Sequence, residues 1–215
     1  MTSAPRASEA EPDGGSKRVP ILVPIVFIVT GGLGWWAAFQ LLLDKLLLLQ
    51  DPTADLNCNF SLVVQCGENL NSWQGEVFGF PNPFIGLGGF VAPIAVGVAM
   101  LAGARFARWF WIAFAVGVAG ALAFCIWLMS QSLFVIGTLC PWCVLVWAVT
   151  ILLFWTLWLR ILSDGTIPLP EGARRVFEKL NGYVAVITVL SYVIVALVAQ
   201  VALEWLTRLV QTGMI

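Results

Sequence analysis

The chain reads as long apolar runs separated by short polar breaks. Five uncharged or nearly uncharged stretches reach the roughly 20 residues a membrane-crossing helix needs. They are Pro20–Leu43, whose apolar character continues past Asp44 and Lys45 to Leu49, then Phe84–Ala104, Trp109–Met129, Leu133–Leu159 and Gly182–Leu203. Backbone N–H and C=O groups must be satisfied internally in lipid, so runs of this length predict helices. The pattern therefore predicts an all-α membrane protein with five transmembrane helices. Pro93 predicts a kink in the second. Ala113, Gly117 and Ala121 on the third, and Gly31 and Gly34 on the first, predict close helix packing.

The polar breaks set the boundaries. Residues 1–19 are rich in Ala, Ser, Gly and Pro with mixed charge, which predicts a disordered tail. A membrane domain is expected over 20–207, with a long polar loop at 51–83, and a short C-terminal tail over 208–215. The first apolar run is about twice the length of a signal-peptide core and no small-residue cleavage pattern follows it, so a retained anchor is expected. Arg6, Lys17, Arg18, Arg105, Arg108, Arg160, Arg174, Arg175 and Lys179 fall on the side of the N-terminus, and only Lys45 and Arg208 on the other. By the positive-inside rule the N-terminus is cytoplasmic. The loop 51–83, a turn at Ser130–Gln131 and the C-terminus are then extracytoplasmic, in a multi-pass protein of the cell membrane. Trp109, Trp111, Trp155 and Trp158 are expected at the inner interface, and Trp127 and Trp205 at the outer one.

Composition agrees and narrows the chemistry. The sequence is 60% hydrophobic and only 11% charged, whereas soluble domains carry about 25% charged residues. Its net charge of −1 says nothing about nucleic acid, and no basic cluster exists outside short loops; no nucleic-acid partner is expected, and the partner implied is the lipid bilayer. The absence of any histidine excludes His-based acid–base catalysis, His metal sites and Ser-His-Asp triads.

What remains is cysteine. Cys140-Pro141-Trp142-Cys143 lies within the fourth apolar run, and Cys58 and Cys66 lie in the long polar loop. Topology assigns all four to the extracytoplasmic side, where disulfides persist. Pro141 suits the first position of a helix, so Cys140 precedes a helical start, where a thiol ionises more readily. Cys143 lies one turn deeper, within reach of a lipid-soluble oxidant, while Cys140 is the sulfur a water-side thiolate reaches. The seven residues between Cys58 and Cys66 suit a mobile disulfide that meets a partner and returns to the membrane pair. Rival readings are a shared structural zinc, for which this spacing is unusual, a purely structural loop bridge, and inert helix packing. Cys125, alone on an apolar helix, is expected to be a small hydrophobe.

Cys58-x7-Cys66, Ser72-Trp73, Phe78-Gly79-Phe80-Pro81-Asn82-Pro83 and Cys140-Pro-Trp-Cys143, in this order, resemble the vitamin K epoxide reductase family, in its bacterial, actinobacterial-like disulfide-forming branch. The resemblance implies a four-helix bundle around a quinone pocket, with the fifth helix alongside. It implies that electrons pass from a thioredoxin-like extracytoplasmic partner to Cys58/Cys66, then to Cys140/Cys143, and on to a membrane quinone of menaquinone, ubiquinone or vitamin K type, with no metal. Asn82 matches the family asparagine that hydrogen-bonds a quinone oxygen, and Ser72 a hydroxyl residue near the loop cysteines. Phe80 is expected to stack on the quinone. A fused thioredoxin-like domain found in some relatives does not follow the fifth helix before Ile215, so the partner is expected to be a separate protein.

One departure bears on the reaction. Vertebrate members carry a tyrosine four residues after the second active-site cysteine; here that position is Trp147. Cys143 and Trp147 share a helix face, so Trp147 is expected to line the pocket. An indole donates one hydrogen bond but cannot act as a phenol. The expected activity is therefore quinone-dependent disulfide formation, with catalytic Cys58, Cys66, Cys140 and Cys143. The alternatives are an epoxide or quinone reductase making hydroquinone, and a membrane thiol-electron transporter.

Overall fold

The structure is a computed structural model that describes residues 21–61 and 63–211, with residues 205–211 as backbone alone. The expected tail at 1–19 lies outside the described residues, as do 212–215. Among the described residues, five helical spans are long and apolar enough to cross a membrane: Leu22–Gln50, Pro83–Leu101, Arg108–Ile136, Pro141–Ser163 and Val184–Glu204.

The first span is one helix, α1 (Leu22–Gln50). Its buried positions, including Phe27, Thr30, Gly31, Gly34, Ala38, Leu41, Lys45 and Leu48, recur every three or four residues. That spacing gives it one packed stripe. The second span is divided. α3 (Pro83–Gly89) ends where α4 (Val91–Leu101) begins, because Pro93 has no N–H to give the Gly89 carbonyl. A short α2 (Gly67–Asn71) and a 3₁₀ turn at Trp73–Glu76 precede them within the polar segment. α1 packs against α3, α4 and α6 (Pro141–Ser163), while α5 (Arg108–Gln131) packs on α6. The core is Phe27, Val96, Ala115, Val118, Leu153, Leu157 and Ile161. α8 (Val184–Gln211) lies against α6, tied by Trp155 Nε1–H to Ser191 Oγ at 3.0 Å and Tyr192 O–H to Ala148 O at 2.7 Å. Its helix runs on through Gln211, so the expected tail from 208 begins as helix.

The third and fourth spans meet elsewhere than expected. The turn expected at Ser130–Gln131 is helical. α5 runs through Gln131 and adds a wide π-helical turn at Ser132–Ile136. Gly137, at φ 79°, stops it, a left-handed conformation that glycine adopts without a Cβ penalty. Leu133–Leu139 therefore does not belong to the fourth helix. Leu139 is extended and pairs in parallel with Val64: Leu139 N–H donates to Val63 O at 2.8 Å, and Gln65 N–H to Leu139 O at 3.1 Å. Hydropathy cannot see this break, because the residues on both sides are apolar.

An amphipathic helix, α7 (Glu171–Asn181), lies between α6 and α8, with no residue fully buried. The sequence reading assigned nothing there beyond its cations.

Candidate active site

The candidate redox cysteines sit where the polar segment is bound to the head of α6. Pro141 fixes its predecessor in an extended conformation, and Cys140, at φ −87° and ψ 120°, caps α6. Its Sγ accepts the Cys143 N–H at 3.4 Å. The thiol of Cys140 is held below its ordinary pKa, first by hydrogen bonding from the Cys143 side chain and then by the Cys143 and Trp142 backbone N–H groups. Burial and the nearby Asp44 charge oppose this.

Cys58 and Cys66 form a disulfide. Cys66 Sγ lies 3.2 Å from Cys140 Sγ, and both residues are fully buried. The bridge expected to be mobile is docked and covered in this state. Cys58 is only 3% exposed, and the segment is pinned on both sides. Besides the Leu139 pairing, Asn59 Oδ1 accepts the Cys66 N–H at 3.1 Å. Leu41, Leu48, Leu56, Leu70 and the Trp142 side chain enclose the sulfurs. An extended segment carrying Val63 and Val64 has apolar surface to bury, which a polar-loop reading overlooked.

Two charges on α1 reach this cluster. The Lys45 ammonium pairs with Glu76 at 2.9 Å and donates to Leu70 O at 2.8 Å, clamping α2 and the 3₁₀ turn to α1. Asp44 Oδ2 lies 3.4 Å from Cys58 Sγ. Asp44, Cys58 and Cys66 bring potential ligand atoms within 4.8 Å of one another. Thiolates are the metal-binding form of cysteine, and the disulfide withholds them.

Cys143 is half-buried and opens on the other side, into a cavity of about 450 Å³. α1 contributes Ala38 and Leu41, α3 and α4 contribute Gly86, Phe90 and Pro93, and α6 contributes Cys143, Trp147 and Thr150. α5 contributes Ala113, Gly117 and Ala121, the small residues expected to pack against a neighbouring helix. They face the cavity instead, and a Cβ on Gly117 would meet nothing within 4 Å. Cys125 also lines the cavity, with Sγ 4.0 Å from Thr150 Oγ1. The lining is mostly apolar with a few polar groups, as in small-molecule sites.

The remaining expected site residues divide. Asn82 lines the cavity; its Nδ2 donates to Gln74 O at 2.6 Å, and its Oδ1 accepts the Val77 N–H at 3.3 Å. One amide hydrogen is left for another acceptor. Trp147 is buried in the cavity wall, backed by Met129, Leu133, Ala199 and Ala202. Phe80 is not brought to the cavity wall. It is half exposed, between Phe78 at 6.3 Å and Phe84 at 6.5 Å. Ser72 is also outside the wall, its hydroxyl donating to Asn69 O at 2.8 Å. Asn69 is the polar residue of that segment that does line the cavity, and its amide donates to Thr138 Oγ1 at 2.7 Å. No sequence signal singled out Asn69, or joined Asp44 to Cys58, since both depend on contacts between distant segments.

Residues 25–158, from α1 to α6, match the sequence profile described as the Vitamin K epoxide reductase family. No curated protein matches the chain.

Proposed function

This chain belongs to the vitamin K epoxide reductase family of membrane-embedded oxidoreductases, and from that premise we propose that it is a quinone-linked thiol oxidoreductase that generates disulfides. One observation carries the reading: Cys66 and Cys140 sulfurs 3.2 Å apart, with Cys143 opening into an apolar cavity on the far side. The two cysteine pairs thus form a continuous path from the polar segment to the lipid-side cavity.

When the polar segment lifts to bare Cys58, which is 3% exposed with the segment docked, a thiolate of an extracytoplasmic, thioredoxin-like dithiol partner attacks it, and Cys66 leaves as thiolate. Cys66 attacks Cys140 of an oxidised Cys140–Cys143 pair, and Cys143 leaves as thiolate at the cavity wall. The second partner thiol displaces Cys58, which attacks Cys66 and releases Cys140. The outcome is an oxidised partner, the Cys58–Cys66 bridge and a Cys140/Cys143 dithiol, which is the thiol arrangement described above. Thiol–disulfide exchange needs only an attacking thiolate and reach; the lowered pKa of Cys140 makes it a good leaving group.

The cavity fits a quinone in volume and apolar lining. Asn82 and Trp147 are the residues that would hold a ring oxygen, and Gly117 leaves room for substituents. A quinone bound there accepts two electrons and two protons. Fixed donors such as the Asn82 amide favour charge developing on an oxygen.

The test is disulfide mapping by mass spectrometry of single-cysteine variants incubated with a dithiol and decylubiquinone. Cys143→Ala should accumulate a Cys66–Cys140 bridge and reduce no quinone. Sustained quinone reduction by Cys140→Ala or Cys143→Ala would overturn the reading.

A further inference from the structure

The chain holds no histidine, yet whenever Cys58 stands as a thiol, as in the fully reduced protein, it must lose a proton before it can close on Cys66. Cys58 is 3% exposed, so bulk water has little access to its sulfur. Among the described residues, one carboxylate is found against it. Asp44 Oδ2 lies 3.4 Å from Cys58 Sγ, within the reach of a sulfur hydrogen bond.

The neighbouring charge is already spent. Lys45 is clamped by Glu76 and Leu70 O, and Asp44 has no ion pair among the described residues. A half-buried carboxylate without a counterion is costly, and helix stability does not require it. Among the described residues, the titratable and charged groups near Asp44 are Cys58 and Cys66 from the polar segment, Cys140 at the head of α6, and its chain neighbour Lys45 on α1, which Glu76 of the 3₁₀ turn pairs.

We propose that Asp44 is the catalytic base of the loop disulfide, taking the Cys58 thiol proton as Cys58 attacks Cys66. The step rests on the relay proposed above and begins with Cys66 bridged to Cys140. The Cys58–Cys66 bond forms and the Cys66–Cys140 bond breaks. Cys58 is oxidised and Cys140 leaves as thiolate carrying the electron pair. The proton passes from Cys58 Sγ to the Asp44 carboxylate, and total charge is unchanged. Asp44 then returns its proton to the aqueous side. In the opposite direction the same carboxylic acid protonates Cys58 as it leaves.

The experiment uses the full-length protein, reduced with dithiothreitol, desalted anaerobically and mixed with excess decylubiquinone. Two dithiols per chain give two phases. The first oxidises Cys140/Cys143, and the second requires Cys58 to close on Cys66. Quinone absorbance follows both, and acid quenching with alkylation and mass mapping follows the bridges. Asp44→Asn should keep the first phase and slow the second about a hundredfold at pH 6.5, the order expected for a lost general base. The Cys66–Cys140 bridge should accumulate. The slowed phase should quicken about tenfold per pH unit and approach the parent rate near the ordinary thiol pKa of about 8.5. Asp44→Glu should recover most of the rate.

A second phase in Asp44→Asn that keeps the parent rate and pH profile overturns the proposal. So does a parallel loss of both phases, which marks a structural role. Failure of the relay reading is seen separately: the parent protein then gives no quinone reduction, or Cys143→Ala retains it, and the Asp44 role falls with it.

Discussion

At the scale of single residues, the site is organised by Cys140. Its extended backbone follows from Pro141, and its sulfur faces Cys66 on one side while capping α6 on the other. The donors around it favour thiolate, with the Cys143 side chain first. Since the folded-state value lies below the ordinary one, the reduced protein carries more Cys140 thiolate than a free thiol would through the neutral and mildly alkaline range. The linked stabilisation is present above the ordinary thiol value and is lost as pH falls through the lowered value. In a background lacking Cys58, Cys66 and Cys125, ultraviolet thiolate absorbance should titrate Cys140 below the ordinary thiol range. Adding Cys143→Ala should move that titration upward, because the principal donor is gone. A downward movement would mean that the capping geometry does not set the ionisation. The Cys-x-x-Cys motif and the helix start at Pro141 were legible in sequence. The contact with Cys66 was not, because 74 residues separate the two sulfurs.

At the scale of elements, glycine decides how closely helices meet. Lipid supplies no hydrophobic drive between helices, so packing contacts carry their association. A Cβ on Gly31 would lie 2.7 Å from Ile94 Cγ1 and 3.1 Å from the Phe90 carbonyl oxygen. One on Gly97 would lie 2.8 Å from Pro24 O. The backbone atoms in these contacts cannot rotate away as a side-chain tip does. Gly31→Ala and Gly97→Ala should each cost about 1–3 kcal/mol, as overpacking does. Gly32, whose Cβ would meet nothing within 4 Å, should accept Ala with no loss or a small gain. Thermal unfolding in detergent compares the three, and equal effects would remove the packing explanation. The same residue type serves opposite ends on α5, where Gly117 keeps a cavity open. Spacing alone marks small residues, and only the neighbouring helix distinguishes a contact from a void.

At the scale of the whole molecule, the four candidate redox cysteines gather at one end of the helices. The Arg160 guanidinium lies over the Trp111 ring at 5.2 Å, toward the far ends of α6 and α5. The bias of Lys and Arg toward that far end predicts that Thr53→Cys in the loop is labelled by a membrane-impermeant maleimide in intact cells. Glu171→Cys should be labelled only after lysis; the reverse pattern would invert the orientation and deny the thiols an oxidising compartment. The sequence by itself determined the number of spans, because a lipid-crossing helix needs an uninterrupted apolar run that composition displays directly. It also singled out the cysteines as the candidate redox residues, because a chain without histidine has few other routes to such chemistry. Tertiary structure decided the rest: that Leu139 leaves the helix to pair with Val64, that the loop disulfide is buried rather than free, that Asn69 reaches the cavity while Phe80 and Ser72 do not, and that Asp44 meets Cys58. Each of these depends on contacts between segments far apart in the chain, and local hydropathy carries no information about which apolar surface will cover another.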